Sequence, residues 1–218
     1  MNNHRHLPDA ITCTPPPAIV RRLFGWLLVL AAFFLWMLSP VPAHAQSADL
    51  PFAPDVNAAV MAVAVQADGK VLIGGDFTQV NGVARTYLAR LHADGTLDTS
   101  FAPTLNQSPV LAIAALSDGK IMIGGDFTTV NGVARSRLAQ LNADGSLATA
   151  FAPPSSHPSG NYAVHDIVPT PDGKFLVGRY TGIGRFNSDG SVDFFTATNA
   201  PVWSVLGLPD GRILAGGQ

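Results

Sequence analysis

Two loops carry the same acid–base pair at the same spacing. Asp76 with Arg85 and Asp126 with Arg135 bracket copies of one segment, DFTQVNGVAR and DFTTVNGVAR. Asp and Asn oxygens can hold calcium, so each loop is a candidate metal or ligand loop. The alternative is an ion pair that pins the loop, and two features favour it. Neither loop has the alternating acidic ligands of a calcium-binding hand. A shortened third copy loses both residues together, as partners would. No metal site or other cofactor is therefore expected, with Ca2+ at these loops the one exception to test.

A second set of residues stands where the copies diverge chemically. His165 and Trp203 are equivalent to Met61 and Leu111, and Asp166 and Ser204 to Ala62 and Ala112. On an innermost strand these four side chains would converge on a channel, where an imidazole could serve as acid, base or metal ligand. The alternative is a degenerate copy that tolerates polar residues near solvent. A glycosidase would need two opposed carboxyls. The chain has no Glu, all 15 acidic residues being Asp, so both would have to be Asp. Asp166 is the one non-turn Asp expected near the axis.

Other chemistry is excluded more simply. Asp68, Asp94, Asp118, Asp144, Asp172, Asp189 and Asp210 each precede Gly, a turn signature. Gly74-Gly75 is not a phosphate loop, because no Gly-Lys-Ser/Thr follows. Double glycine instead permits close backbone approach. His92 aligns with Asn142 and Asn187 and reads as a turn residue. The Asn106-Gln107-Ser108 sequon reads as chance. The only cysteine, Cys13, lies near the N-terminus. The chain from Gln46 onward then has no disulfide, thiolate metal site or cysteine nucleophile.

These residues are positioned by a tandem repeat. About two in three residues of 60–103 recur in order in 110–153, offset by fifty, a period that signals stacked supersecondary units. The first copy has four apolar segments, Val60–Gln66, Lys70–Gly75, Tyr87–Leu91 and Thr96–Phe101. Asp-Gly turns link the first pair and the second pair, a strong hairpin signal. The first two segments are apolar on both faces and must be covered on both. The fourth alternates Leu97, Thr99, Phe101 with Asp98, Ser100, so one face is wetter. The pattern predicts an all-β fold of four-stranded antiparallel β-propeller blades.

The predicted divisions are a lone outer strand and linker at 50–59, then blades at 60–109, 110–163 (with a Pro/Ser/Gly-rich insertion, Pro153 to Gly160) and 164–201. A further blade begins at 202–218. The third copy has lost nine residues between its hairpins: its turn Asps, Asp172 and Asp189, are closer than Asp68 and Asp94. Leu50–Pro54 matches the segment ends Phe101–Pro103 and Phe151–Pro153, so the lone strand is expected to complete another blade. Three to four blades make an incomplete ring, and the chain reads as part of a longer protein.

The motif VxAVAVQxDGKxLIGGDFTxVNG resembles the bacterial delta-60 repeat family, over Leu50 to Gln218. The resemblance implies an exported β-propeller-like protein and names no activity. Gly74-Gly75 and Gly124-Gly125 give a weaker likeness to kelch blades.

Residues 1–45 have the order of a signal peptide: Arg21-Arg22, the apolar run Leu23 to Leu38, then Ala43-His44-Ala45. Cleavage is predicted after Ala45, following a signal-peptide helix. The run is shorter than a spanning helix needs. The twin arginine is weaker evidence for a special route than for general secretion. Export to the periplasm, cell surface or medium is expected, without stable membrane insertion after cleavage. The mildly acidic remainder gives no nucleic-acid footprint. The functional expectation is a non-catalytic scaffold or interaction module whose partner is a protein or a cell-envelope glycan. The alternative is a glycan-active hydrolase or lyase with a site at the channel mouth around His165 and Asp166.

Overall fold

The computed structural model describes residues 52–106, 108–154 and 162–218. The expected signal segment, Leu50-Pro51, and most of the insertion after Pro153 lie outside the described residues. Every element among those described is a β-strand, and all pairing is antiparallel. The first unit holds β1 (Val60–Val65), β2 (Val71–Gly75), β3 (Gln79–Val80), β4 (Val83–Ala84) and β5 (Leu88–Leu91). The second repeats it as β6 (Val110–Ala115), β7 (Ile121–Gly125), β8 (Thr129–Val130), β9 (Val133–Ala134) and β10 (Leu138–Leu141). The third holds β11 (Val164–Pro169), β12 (Phe175–Arg179), β13 (Gly182–Phe186) and β14 (Val192–Ala197), and β15 (Val202–Gly207) with β16 (Ile213–Gly217) begins a fourth.

The Asp-Gly turns behave as their chemistry demands. Gly69, Gly95, Gly119 and Gly145 have φ between 81° and 89°, which Gly adopts without a Cβ penalty. The preceding Asp accepts a hydrogen bond from the backbone N–H two residues on, as Asp94 does from Thr96 at 2.9 Å and Asp144 from Ser146 at 2.9 Å.

Four-stranded sheets were expected throughout, but only the third unit has one, in the order β11-β12-β13-β14. The first two units have three-stranded sheets, β1-β2-β5 and β10-β7-β6, and their fourth segments make single bridges, Leu91 to Leu97 and Leu141 to Leu147. In both units a turn ends the pairing, the Phe101 N–H donating to Asp98 O at 3.3 Å and the Phe151 N–H to Ala148 O at 3.2 Å. In the first the Asp98 carboxylate also accepts from the Ser100 N–H and Oγ at 3.1 and 2.6 Å. The third unit lacks the nine loop residues. Its middle hairpin closes directly through Tyr180-Thr181, with Arg179 opposite Gly182.

Successive first strands lie side by side, β1 against β6, β6 against β11 and β11 against β15, as blades about an axis would. Glycine makes this possible. A Cβ at Gly74 would lie 2.7 Å from Val110 Cγ1 and 2.9 Å from Ile113 Cδ1, and one at Gly124 would overlap Val164. The seams are apolar and dry, with Leu72, Leu88, Val110 and Ile123 in one and Met122, Leu138, Val164, Phe175 and Phe186 in the next. Each large apolar side chain so buried contributes about 1.5–3 kcal/mol. The expectation of cover on both faces holds for β6 but not β1. Val60, Met61, Val63 and Val65 are exposed, because no sheet precedes them among the described residues.

A second tie runs around the outside. Phe101-Ala102-Pro103 packs on the following unit's turn, where a Cβ at Gly145 would sit 3.1 Å from Phe101 Cδ2. Phe151-Ala152-Pro153 does the same at Gly190, and the Ala152 N–H donates to Asp189 O at 2.8 Å. Phe52-Ala53 meets Gly95 at 3.3 Å in the same way. The expected lone strand is therefore an extended hook, with one bridge from Val56 to Val80. Buried ions brace the outer part of the first unit. The Asp98 carboxylate receives Arg90 Nε at 2.9 Å and Lys70 Nζ at 3.1 Å, and Arg90 lies over the Phe101 ring at 4.5 Å.

Candidate functional site

Each first strand carries an irregularity at one position. Register shifts fall between Val60 and Ala62, Val110 and Ala112, Val164 and Asp166, and Val202 and Ser204. The residues left unpaired are Met61, Leu111, His165 and Trp203. A bulge bends a strand and re-aims its extra side chain, so these four form one series at the same end of every sheet. The structure brings His165 and Trp203 together, with ring centroids 6.4 Å apart. Trp203 is exposed. Burial pushes the His165 imidazole below its ordinary pKa, and the negative charge of Asp126 partly opposes this.

Asp166 and Ser204 also meet, and their contact joins the third unit to the fourth. The Asp166 carboxylate accepts from Ser204 Oγ at 3.1 Å and from the Val205 N–H at 2.8 Å, and its other oxygen accepts from the Ile167 N–H at 2.9 Å. Both oxygens are thus held by donors.

The recurrent loops are occupied by the chain itself. Asn57 Oδ1 accepts from the N–H groups of Thr78 and Gln79 at 2.9 Å, and Asn81 Oδ1 accepts from the Asp55 N–H at 2.8 Å. Asn106 and Asn131 repeat the pattern one unit later, at Thr128, Thr129 and Thr104. The loop thus grips the linker entering its unit. Asn106 Nδ2 donates to Thr128 Oγ1 at 2.9 Å, so the sequon asparagine is engaged. The expected Asp76–Arg85 and Asp126–Arg135 contacts are replaced by others. Arg85 donates to Ala84 O and Thr99 O at 2.9 and 3.2 Å, and Arg135 to Ala134 O at 2.9 Å. Asp126 pairs with Arg137, whose Nη1 donates to both its carbonyl and its carboxylate. Arg137 has a φ of 68°, a left-handed conformation that turns its side chain onto Asp126. No group of three or more His, Cys, Asp or Glu arranged to hold a metal occurs among the described residues.

Arg137 and Arg179 were not anticipated, and the register explains them. Gly75 stands opposite Tyr87 and Gly125 opposite Arg137, each glycine N–H donating to its partner's carbonyl at 3.1 Å. In the third unit Arg179 stands opposite Gly182. The large residue and the glycine have changed strands. A Cβ at Gly75 or Gly125 would overlap the carbonyl of Ala59 or Pro109, whereas the third unit carries one at Arg179, which pairs with Val164 and with Gly182. Phe175 and Val177 face the second unit's seam, and Arg179 lies on their side by strand alternation. It is 2% exposed, with its guanidinium 5.5 Å from the Phe186 ring centroid. Burial pushes its pKa down to about 10, with the charge of Arg137 adding to the effect. Nε of both arginines is buried without a hydrogen-bond partner. The sequence signal was present, as Gly178-Arg179 stands where the other copies have Gly-Gly. Beside Arg179, the exposed rings of Tyr180 and Tyr162 stack at 5.6 Å.

The family model described as "Domain of unknown function (DUF5122) beta-propeller" matches residues 66–101 and 116–151. No curated protein matches the chain. Among solved structures, a protein of unknown function from Bacteroides caccae is 14% identical over 72% of this chain and 52% of its own, with a TM-score of 0.46. A gluconolactonase from Xanthomonas campestris is 18% identical over 71% of this chain and 52% of its own, with a TM-score of 0.48. Virginiamycin B lyase from Staphylococcus aureus is 12% identical over 75% of this chain and 66% of its own, with a TM-score of 0.41. This chain spans about half the length of the first two. The two matched stretches fall on successive copies of the repeat and cover the same part of each, so the first two units match β-propeller repeats.

Proposed function

We propose that this is an exported propeller-repeat protein that binds its ligand, a protein or a cell-envelope glycan, without transforming it. Its repeats are β-propeller blades, three to four of them within this sequence, released by signal cleavage after Ala45 to the periplasm, cell surface or medium. The observation that carries the reading is the state of Asp166. The one carboxylate expected to do chemistry near the axis has both oxygens engaged by Ser204, Val205 and Ile167, which suits a joint between units better than a catalytic acid. The recurrent loops are likewise spent on gripping the linkers.

A second reading rests on His165. An imidazole beside Trp203 whose pKa is lowered by burial, with the charge of Asp126 opposing, is a candidate general base, and with Asp166 it would serve a glycan hydrolase or lyase. The two readings separate in one assay. The exported protein is incubated with envelope polysaccharide fractions while retention and product release are both followed. Binding without products is expected. Products that disappear with His165→Ala would replace the binding reading with the enzymatic one.

A further inference from the structure

The first two seams differ in what crosses them at the turn end of the sheets. In the first, Arg90 spans the two units: its Nη1 donates to Ala143 O in the second unit's outer turn, and its Nε is held by Asp98. One unit later Gln140 takes the place of Arg90, opposite Met122 as Arg90 is opposite Leu72. The Ala148 N–H donates to Gln140 O as the Asp98 N–H does to Arg90 O, so Ala148 replaces Asp98. Ser188 follows Asn187 as Ala143 follows Asn142, so Ser188 replaces Ala143. A glutamine side chain ends at the atom equivalent to arginine Nε and cannot make the crossing. A cleft of about 540 Å³ lies there, lined by Ser117, Lys120 and Gln140 of the second unit and Lys174, Phe175 and Ser188 of the third. Its size is that of small-molecule sites, about 300–1,000 Å³.

The exchange leaves polar groups underused at the cleft. Gln140 is 7% exposed, and among the described residues its amide donates only to Met122 Sδ, at 3.5 Å, a weak acceptor. Lys70 in the first unit bonds to the buried Asp98 at 3.1 Å, but Lys120 has Ala148 there and turns to Asp118 in its own turn, at 2.7 Å. Both groups of that pair are partly exposed, and such a pair is held weakly. The charged residues lining the cleft are two lysines, Lys120 and Lys174, against Asp118. What the second unit lacks, relative to the first, is a carboxylate between Lys120 and Gln140. Ser117 and Ser188 stand where the first seam has Ala67 and Ala143, so hydroxyl groups have entered as the ion pair left.

We propose that this cleft binds a small hydroxylated carboxylic acid, whose carboxylate takes the place that Asp98 holds in the first unit. Lys120 and Gln140 donate to the carboxylate, Lys174 adds its charge, and Ser117 and Ser188 meet the hydroxyls. The site stands at the far end of β11 from His165 and is independent of the binding reading above.

The test titrates the purified protein by calorimetry, at one ionic strength, with D-glucuronate, with its methyl ester and with inorganic phosphate. The ester keeps the hydroxyls and removes the charge. Wild type should bind the acid about tenfold or more tightly than the ester, the effect of losing one charged hydrogen-bonded group. Gln140→Arg with Ala148→Asp installs the first unit's own pair and should abolish binding while the melting temperature holds or rises. Lys120→Met, at a partly exposed side chain, should weaken acid binding about fivefold or more in a protein that still folds. No binding of the acid, equal affinity for acid and ester, or unchanged acid affinity in both variants would overturn the site. Phosphate bound as tightly as glucuronate, and lost in the same variants, would overturn the carboxylate assignment.

Discussion

The first two units and the third solve one packing problem in opposite ways. In the regular units glycine ends the second strand, a large residue with positive φ begins the third, and the intervening loop clamps the incoming linker. In the third unit arginine ends the second strand, glycine begins the third, and the loop is gone. The regular units thereby spend their polar groups on holding the array together. The third instead buries a cation against the Phe186 ring and exposes aromatic rings, Tyr162 stacked on Tyr180 and Trp203 beside His165. The difference teaches that in a repeat array the recurrent residues report the scaffold, and departures from the repeat are where binding chemistry can reside.

The largest effect should come from the ion cluster, which differs even between the regular units. Lys70, Arg90 and Asp98 in the first unit correspond to Lys120, Gln140 and Ala148 in the second, where Gln140 Nε2 lies 3.5 Å from Met122 Sδ. Asp98→Ala strands Arg90, which is 6% exposed, and should cost about 3–5 kcal/mol by urea denaturation. Adding Arg90→Gln, the second unit's own solution, should restore most of it. Hydrogen bonds from Ser100, Lys70 and Arg90, with the Arg90 charge, outweigh burial and hold the Asp98 pKa far below 3.8. Its contribution is therefore complete above about pH 4 and is lost as the pH falls toward the depressed value. The double variant should lack that part of the acid sensitivity.

Next in size is the glycine seam. Gly124→Ala forces a methyl into Val164 and should cost about 2–3 kcal/mol. Gly178→Ala meets Val202 Cγ1 only at 3.2 Å and should cost about 1 kcal/mol or less. Equal losses would mean that the third unit is not packed differently. Asp166→Asn should cost about 1–2 kcal/mol, read as a lower melting temperature, because carboxylate bonds to Ser204 and Val205 are weakened. The smallest effect belongs to His165. Its folded pKa is depressed, so its contribution is present above the unfolded value of about 6.5 and fades as the pH falls through the folded value. His165→Gln should flatten the stability profile in that window and leave neutral-pH stability nearly unchanged.

The sequence made the repeat, the Asp-Gly turns and the divergent positions His165, Asp166, Trp203 and Ser204 legible, because all depend on local spacing. The Asp126 partner was not legible. Arg135 and Arg137 are two residues apart, and the left-handed backbone at Arg137 decides between them. The Arg179–Gly182 exchange was equally hidden, since it appears only once the strand register is known. The shortness of the fourth segments in the first two units was not legible, because a backbone turn at 98–101 and at 148–151 ends each ladder after one bridge.

The most direct test of the account is hydrogen–deuterium exchange of the purified protein with and without an envelope polysaccharide fraction that it retains. Protection is predicted at residues 136–138, 162–166, 179–182 and 201–204, with the loops 76–87 and 126–134 unchanged. Protection spread equally over those recurrent loops would contradict it, because the binding chemistry would then belong to the repeat itself.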